Sequence, residues 1–274
     1  MRVDLHSHST VSDGLDSPAE LVRHMAYAGV GALALTDHDT FQGLPEAREE
    51  ANRLGLELIA GAEISADFQS QDDIHILALF VDESSAALNS QLERRRKNRR
   101  KRCERMAQKL IEAGYKLDLK AIRKDVGDGV WGRPHLARAL VRAGHASSEE
   151  DAFRRFLSSG QPWYERSEKW PAAEVVRAIR EAGGISSLAH AVWYKDAEGL
   201  IRALAADGLD AIEVFHPDHG PDQESRFGNL ARELGLAVTA GSDFHGTPEG
   251  RKHPGGVCGT GEMIGILRAR ARRS

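Results

Sequence analysis

Two histidines near the start of the chain, His6 and His8, have the spacing of a pair of metal ligands. They follow Val3 and Leu5, whose alternation with polar neighbours is typical of a short β-strand. In an extended chain, residues i and i+2 point to the same side, with roughly 6.5–7 Å between their Cα atoms. Two imidazoles at that separation can converge on one ion, but two surface histidines would give the same pattern. The pair indicates a metal site only if other parts of the chain supply matching ligands.

Matching histidine and carboxylate side chains accompany the later predicted strands. The ends of the strands in a β/α barrel meet at one face, so groups placed there converge on one pocket. Independently solvated histidines are the alternative explanation, but their repetition at most of the strand ends argues against it. With the first pair, the candidate ligands number nine: His6, His8, Asp13, His38, Glu63, His75, His190, Asp243 and His245. Asp13 lies in the first loop, and His75 lies near the start of its strand.

The ligand types indicate which ions and which reaction to expect. Imidazole and carboxylate without thiolate are typical of Zn²⁺, Mn²⁺ or Fe²⁺ in a catalytic site rather than of structural zinc. Nine ligands exceed the needs of one ion, so two or three ions that share a bridging carboxylate fit better. Close pairs of divalent ions are suited to the hydrolysis of phosphate esters, because they stabilise both the attacking and the leaving oxygen.

The elements that must position these residues alternate between strands and helices. Short apolar strands are predicted at 32–35, 56–60, 74–81, 185–188, 211–214 and 237–240. Helices are predicted at 17–28, 43–54, 172–182, 198–206 and 224–234. This rhythm argues for parallel β/α units.

A different pattern separates the two β/α segments. Helices are predicted around 85–113, 119–124, 134–143 and 149–157, with no strand among them. We therefore expect a β/α barrel domain formed by residues 1–85 and 171–274, which holds the metal site. Residues 86–170 are predicted to form a helical insertion that contributes to substrate binding.

Composition excludes several classes of protein. The chain has 274 residues and a net charge of −4, so nucleic-acid binding would need a local basic patch. Two cysteines, Cys103 and Cys258, form no disulfide framework. Neither a membrane span nor a secretory leader is visible, and a cytoplasmic location is the expectation. No protein partner is inferred.

The candidate ligands lie in motifs that resemble those of the polymerase and histidinol phosphatase (PHP) family. The motifs occur in order along nearly the whole chain: Asp4-Leu5-His6-Ser7-His8, Ser12-Asp13-Gly14, Thr36-Asp37-His38, Gly61-Ala62-Glu63, His75, Ala189-His190 and Gly241-Ser242-Asp243-Phe244-His245. The resemblance implies an α/β fold, a distorted (β/α)7 TIM-like barrel, with a trinuclear metal cluster. Ala191 stands where the family commonly has proline.

The resemblance also implies how the ligands divide among three ions. One ion would be held by His6, His8, Glu63 and Asp243. The second would be held by Glu63, His75 and His190, with Glu63 bridging. The third would be held by Asp13, His38 and His245.

The insertion resembles one branch of the family, whose members hydrolyse nucleoside 3′,5′-bisphosphates and short RNA ends. The matching segments are Gly132-Arg133-Pro134-His135-Leu136-Ala137-Arg138 and Gly160-Gln161-Pro162-Trp163-Tyr164. Arg133 and His135 lie where a helix begins, which is a natural site for an anion, and arginine binds phosphate through two donors. A capped surface helix is the alternative.

The branch resemblance also extends to His219 and Arg102, and Arg99 lies one helical turn from Arg102. His219 matches a position that faces the phosphate, and it is predicted, with Asp243, to be catalytic. His216 has no such match and is predicted to be peripheral. Arg99 and Arg102, in the basic run 94–102, are candidate phosphate contacts, although a charge run on a helix is usually a solvated face.

Two aromatic residues in the insertion allow two interpretations. Trp163 and Tyr164 would either stack on a base or pack in the core.

The sequence predicts a metal-dependent phosphoesterase with two or three divalent ions. Its expected substrates are nucleoside 3′,5′-bisphosphates, from which it would remove the 3′-phosphate. Short RNA with a 5′-phosphate is a second expected substrate. Two alternatives are a phosphatase of the histidinol-phosphate type and an inactive module that holds metal and binds nucleic acid. Retention of all nine ligands argues against an inactive module.

Overall fold

The protein was analysed as a computed structural model that describes residues 1–69, 71–127, 129–168, 170–246 and 252–271, with only the backbone of residue 125. The strands are β1 (Arg2–Asp4), β2 (Val30–Leu35), β3 (Glu57–Phe68), β4 (Gln71–Leu79), β5 (Ile185–Leu188), β6 (Ala211–Phe215), β7 (Ala237–Ala240) and β8 (Gly259–Thr260). The helices are α1 (Pro18–Tyr27), α2 (Leu44–Leu54), α3 (Ala86–Glu112), α4 (Leu119–Val126), α5 (Arg133–Arg142), α6 (Glu149–Ala152), α7 (Ala172–Glu181), α8 (Ala197–Ala206), α9 (Pro221–Leu234) and α10 (Gly261–Ala271). A π-helical turn occupies Phe153–Leu157, and a 3₁₀ turn occupies Ala191–Trp193.

The strands form one sheet that curls into a nearly closed barrel. Their order is β7-β6-β5-β4-β3-β2-β1-β8. The two sides meet where the Leu5 N–H donates to the Ala240 carbonyl at 2.9 Å and the His8 N–H donates to the Phe244 carbonyl at 3.0 Å. Strands β1–β3 are mutually parallel, as are β5–β7. The predicted distorted (β/α)7 barrel is confirmed, and β8 is a short antiparallel addition beside β1.

Strand β4 runs antiparallel to both of its neighbours, which the β/α rhythm did not predict. Ser65 of β3 lies opposite His75, and Leu79 at the end of β4 lies opposite Ile185 at the start of β5. The N-terminal end of β4 therefore lies beside the C-terminal ends of the other strands. For this reason His75, near the start of its strand, reaches the same face of the barrel as the other candidate ligands.

Local sequence signals set the ends of the barrel helices. Ser17 caps α1, its side chain accepting from the Glu20 N–H while the Glu20 side chain accepts from the Ser17 N–H, and Pro18 occupies the first helical position. Helix α2 ends at Gly55, whose φ of 68° is the left-handed conformation that favours glycine. The apolar faces of these helices pack on the outer face of the sheet, and a second cluster that includes Leu5 fills the barrel interior.

The segment between β4 and α7 is helical, as predicted. Its distal part has its own hydrophobic cluster, which includes Met106, Leu110, Leu136 and Phe156. The first turns of α3 pack instead on the barrel through Leu88 and Leu92. The exact boundary at residues 86–170 stays a prediction.

The C-terminal elements were not predicted from the sequence. Strand β8 has only two residues, and α10 follows it directly in the segment Gly-Glu-Met-Ile-Gly-Ile-Leu-Arg-Ala-Arg-Ala, where glycine and arginine interrupt the helical pattern. Ile264 and Leu267 of α10 are buried among the residues that fill the barrel interior.

Among the described helices, none is both long enough and apolar enough to cross a membrane.

Candidate active site

Glu63, on β3, lies at the centre of the ligand-type residues. Its side chain is buried. Ring nitrogens of five histidines lie 2.8–3.5 Å from its two carboxylate oxygens: His6, His8, His38, His75 and His190. The shortest of these distances joins His75 Nδ1 to Oε1, so the reversed strand β4 supplies one of its nearest neighbours. Glu63 is therefore the group best placed to be shared between ions.

Two further carboxylates extend the cluster on either side. Asp13 lies 3.4 Å from Nε2 of His38 and 3.4 Å from Nε2 of His245. Asp243 Oδ1 lies 3.4 Å from His6 Nε2 and 3.5 Å from His8 Nε2. The structure thus brings all nine predicted side chains into one continuous cluster at the C-terminal face of the barrel.

The spacing of the ligand atoms fits divalent metal ions. Two atoms that each lie about 2.1 Å from one ion, at a tetrahedral angle, are about 3.4 Å apart. Several buried atoms at this spacing have no hydrogen-bond partner among the described residues: His6 Nε2, His8 Nε2, His38 Nδ1, both Asp13 carboxylate oxygens and His216 Nε2. Buried polar atoms are normally paired, so their convergence indicates a cluster capable of binding metal.

The ionisation of the cluster also suits cations. Burial opposes ionisation of Glu63, but His75, His38 and His6 outweigh burial and hold its pKa well below the usual value. Burial opposes ionisation of Asp243 as well, but the attraction of His6 and His245 outweighs burial and holds its pKa well below the usual value. Burial lowers the pKa of His190 to about 4, so its ring is neutral and able to coordinate.

A second layer of carboxylates orients these ligands. Glu213 of β6 accepts from His6 Nδ1 at 3.0 Å and from the His190 N–H at 2.8 Å. Asp37 accepts from the Ser9 and Ser12 hydroxyls, both at 2.7 Å, and thereby fixes the loop that carries Asp13. Such contacts hold a metal ligand in its tautomer and orientation.

The prediction that His216 is peripheral was wrong. His216 is buried, its Nε2 lies 3.4 Å from Asp243 Oδ2, and with His6 it forms a group of possible metal ligands. The reason is a register shift between Glu213 and Phe215 in the pairing of β6 with β7. An extra residue in one strand changes which side chains face inward, so His216 is buried while Phe215 is partly exposed.

His219 is buried at the edge of the same cluster. Its Nδ1 donates to the Val214 carbonyl at 2.8 Å, and its Nε2 accepts from the Val192 N–H at 3.3 Å. Burial lowers its pKa. In this arrangement Nε2 is an acceptor, so donation of a proton to a substrate requires this hydrogen bond to open. The catalytic role of His219 stays a prediction.

The basic run of α3 divides into an inward and an outward face. Arg95, Arg99 and Arg102 recur at helical spacing and point towards the barrel, while Arg94 and Lys97 are exposed and pair with glutamates. The inward stripe, not the run as a whole, therefore reaches the site.

Two aspartates at the rim of the barrel hold the inward arginines. Arg99 Nη1 donates to Asp39 at 3.1 Å and to the Ser65 hydroxyl at 2.6 Å. Asp73 pairs with Arg102 at 3.1 Å and with Arg133 at 3.2 Å. Both aspartates have positive φ, 52° for Asp39 and 61° for Asp73, a strained conformation that marks functional sites.

Of these side chains, Arg102 is fully engaged in structural contacts. Its Nε donates to the Glu165 carbonyl, and its other nitrogens contact Asp73 and Ser167. Arg99 uses Nη1 for Asp39 and Ser65, while Arg133 pairs with Asp73 through Nη2 and makes only a long contact, 3.5 Å, from Nη1 to the Leu157 carbonyl. The geometry therefore favours Arg99 and Arg133 over Arg102 as phosphate contacts.

Arg99 and Arg133 together form what is called here the arginine wall. His135 lies beside it, at the start of α5. Its Nδ1 accepts from the Gly132 N–H at 3.2 Å. Burial lowers its pKa to about 4, so the ring is neutral. A Cβ added at Gly132 would lie 3.3 Å from Arg99 Nη2 and 3.7 Å from Asp13 Oδ2, which places the α5 N-terminus between the wall and the ligand cluster.

Comparison with known proteins identifies the family. A model described as PHP domain matches residues 4–116. A 5′-3′ exoribonuclease of Haemophilus influenzae is 37% identical over 89% of this chain and 90% of its own length. The chain belongs to the PHP family.

Other PHP relatives are equally similar and carry different names. A phosphoribosyl 1,2-cyclic phosphate 1,2-diphosphodiesterase of Eggerthella lenta is 38% identical over 89% of this chain and 94% of its own length. A 3′,5′-nucleoside bisphosphate phosphatase of Chromobacterium violaceum is 35% identical over 92% of this chain and 90% of its own length.

A solved structure agrees with the assignment to this family. A candidate metal-dependent phosphoesterase of Bifidobacterium adolescentis has a TM-score of 0.88 and 31% identity, covering 98% of this chain and 96% of that one. This PHP protein is therefore a metal-dependent hydrolase of phosphate esters.

Aromatic residues around the PHP site differ from expectation. Trp163 packs against Tyr115 and Phe156 in the insertion core, with ring centroids 5.3 and 5.5 Å away, so core packing is the reading that holds for it. Tyr164 donates its hydroxyl to Asp72 at 3.0 Å. Trp193 and the buried Tyr194 both lie beside the ligands, and sequence reasoning missed them because no motif includes them.

Proposed function

We propose that this PHP enzyme removes the 3′-phosphate from nucleoside 3′,5′-bisphosphates and leaves the nucleoside 5′-phosphate. Short 5′-phosphorylated RNA is proposed as a related substrate. The observation that supports the proposal is a second cationic region, formed by Arg99 and Arg133 beside the ligand cluster. A substrate with two phosphates would occupy both regions, and the names of two relatives agree with it.

The same proposal assigns the cluster two or three divalent ions, Mn²⁺, Fe²⁺ or Zn²⁺. Glu63 would be shared between ions because five histidine rings surround its carboxylate. We add His216 to the nine predicted ligands because it faces Asp243. When bound, such ions neutralise charge on the phosphate and activate water.

The residues of this chain would divide the remaining tasks. Arg133 and Arg99 bind the phosphate that is not cleaved, since guanidinium groups form charge-assisted hydrogen bonds to phosphate. Asp73 and Asp39 hold these arginines before the substrate arrives. His135 lies between the two regions and offers a neutral ring as a hydrogen-bonding group. His219 would act as the general acid after its hydrogen bond from Val192 opens and Nε2 takes up the proton released by the attacking water, because Nδ1 keeps its own proton on the Val214 carbonyl.

A panel of phosphate esters tests the proposal. The Mn²⁺-loaded enzyme is assayed with adenosine 3′,5′-bisphosphate, a 5′-phosphorylated RNA trimer, histidinol phosphate and phosphoribosyl 1,2-cyclic phosphate. We expect the highest kcat/KM for the bisphosphate, with AMP as the product. Histidinol phosphate should be poor, because its single phosphate cannot occupy both regions.

The other outcomes identify the competing functions. Adenosine 3′-phosphate as the product, or a higher kcat/KM for histidinol phosphate, would contradict the proposal. A preference for the cyclic phosphate would assign the activity named for the relative from E. lenta. Absence of turnover with every ester, despite bound metal, would favour an inactive binding module.

A further inference from the structure

Trp193 is a large aromatic residue that stays half exposed, 50%, beside the ligand cluster. It ends the 3₁₀ turn that follows β5. Its ring stacks on His190, with centroids 3.9 Å apart and planes tilted by 27°, and meets the ring of His216 edge-on at 5.8 Å. Because both histidines belong to the cluster, anything that rests on the exposed part of Trp193 lies next to the reacting phosphate.

A cation completes the surroundings of this ring. The ammonium group of Lys252 lies 5.4 Å from the centre of the Trp193 ring. It also lies 3.1 Å from Asp218 Oδ2 and 3.7 Å from Asp243 Oδ2. Because the ammonium group lies over the ring, a planar heterocycle that stacks on the exposed part of Trp193 would meet this N–H donor with acceptor atoms on its edge.

We propose that Trp193 and Lys252 form a subsite for the nucleobase of the substrate. The base stacks on the exposed part of Trp193, and Lys252 faces acceptor atoms on its edge. This inference rests on the proposed function, to which it adds the basis of discrimination between nucleotides and phosphate esters that lack a base.

The position of the subsite agrees with a substrate that spans the cluster. Arg99 and Arg133 reach the cluster from the side of Asp39 and Asp73. Trp193 reaches it through other ligands, the rings of His190 and His216. A nucleoside bisphosphate would thus have its second phosphate on the arginine wall and its base on Trp193, with the cleaved phosphate between them.

Paired substrates give the kinetic test. Wild type, Trp193→Ala and Trp193→Phe are loaded with Mn²⁺ and assayed with adenosine 3′,5′-bisphosphate and with 1-deoxyribose 3,5-bisphosphate, which has no base. Stacking is lost in the alanine variant, so KM for the nucleotide should rise about 5- to 150-fold while kcat stays unchanged. Values for the base-free ester should not change. Trp193→Phe should recover most of the nucleotide affinity, and Tyr27→Ala, which removes an exposed aromatic ring from α1, serves as the control.

Metal content and fluorescence separate this proposal from its alternatives. If Trp193 only positions His190, the alanine variant will lose metal and will lose kcat equally for both esters, which would overturn the base subsite. Intrinsic tryptophan fluorescence of the loaded enzyme should be quenched by AMP in wild type and not in Trp193→Phe. This binding result does not depend on which ester the enzyme hydrolyses, so it would survive failure of the proposed reaction. Absence of quenching in wild type would contradict the subsite.

Discussion

Glu63 is buried and offers two carboxylate oxygens to five histidine rings. Their mutual attraction is strong because both partners are desolvated, and each ring that coordinates an ion must give up its proton. Glu213 fixes His6 from behind, so the ring cannot turn away when its proton leaves. The cluster is therefore arranged for cations before any ion binds.

Replacement of Glu63 tests this arrangement. Glu63→Gln keeps the shape of the side chain and removes the charge that is shared by the histidines. We expect the purified variant to bind at least one ion fewer than wild type, which should hold two or three. Elemental analysis after reconstitution with Mn²⁺ measures this difference. Glu20→Gln, at an exposed helix cap, is the control. Unchanged metal content in Glu63→Gln would refute its bridging role.

Replacement of Arg133 tests the role of the arginine wall in binding phosphate. Arg133→Ala removes one charge-assisted contact, worth roughly 1.5–3 kcal/mol, so kcat/KM for adenosine 3′,5′-bisphosphate should fall about 10- to 150-fold. Metal content should stay at the wild-type level, because Arg133 pairs with Asp73 and not with one of the predicted ligands. Arg154→Ala, at an exposed position of the insertion, is the control. Loss of metal in Arg133→Ala would show that Arg133 is structural.

At the scale of elements, strand direction explains which residues reach the site. The ligands after β1, β2, β5 and β7, and Glu63 within β3, were predictable, because histidine or carboxylate follows a short apolar run at each of these places. The direction of β4 was not, although a ligand at the start of a strand is itself a signal that the strand is reversed. His216 was missed because a register shift in β6 changes the alternation of side chains, and no sequence pattern announces such a shift.

Helix α3 is connected to the barrel by Arg102, and this connection is testable by stability. The side chain is buried and bonds Asp73 at the start of β4 together with Ser167 and the Glu165 carbonyl in the loop before α7. Arg102→Met leaves Asp73 with Arg133 as its remaining cation, and should lower the free energy of unfolding by roughly 3 kcal/mol.

Urea denaturation of the metal-loaded protein measures this loss. The double variant Arg102→Met/Asp73→Asn also removes the carboxylate that pairs with Arg133, so it should recover none of this loss. A loss below about 1 kcal/mol, as for an exposed ion pair, would show that the contact is solvated.

At the scale of the whole molecule, the cluster makes stability depend on pH. Burial alone would lower the pKa of His8, but Asp243 and Glu63 outweigh burial and raise it from 6.5 to about 10. A raised folded pKa contributes stability that is complete below pH 6.5 and is lost as the pH rises to about 10. The same sign applies to His6, whose pKa is also raised.

The metal-free protein should therefore become less stable between about pH 6.5 and 10. Tm is measured against pH in EDTA and, in parallel, in excess Mn²⁺. Ions replace the protons on these rings, so the loaded protein should keep its Tm over the same interval. His8→Asn should flatten the profile in EDTA, whereas His253→Asn should not. A Tm in EDTA that is constant over this interval would contradict the prediction.

Because β4 is reversed, the length of helix α3 sets the position of the arginines that would bind the substrate. Leu79 at the end of β4 lies beside the first residue of β5. The chain therefore leaves the sheet at the end of the barrel opposite the site and has to return to it. Helix α3 spans this distance with 27 residues, and Arg99 lies about 20 Å along its axis from Ser85. The two halves of α3, before Arg99 and beyond Arg102, should therefore differ in the changes of length that they tolerate. Before Arg99, an insertion or deletion would rotate the arginines or shift them along the axis away from Asp39 and Asp73, so the length of this half is fixed. Beyond Arg102 the helix packs through Met106 and Leu110 in the insertion's own hydrophobic cluster, so changes of length there alter the insertion and leave the arginines in place.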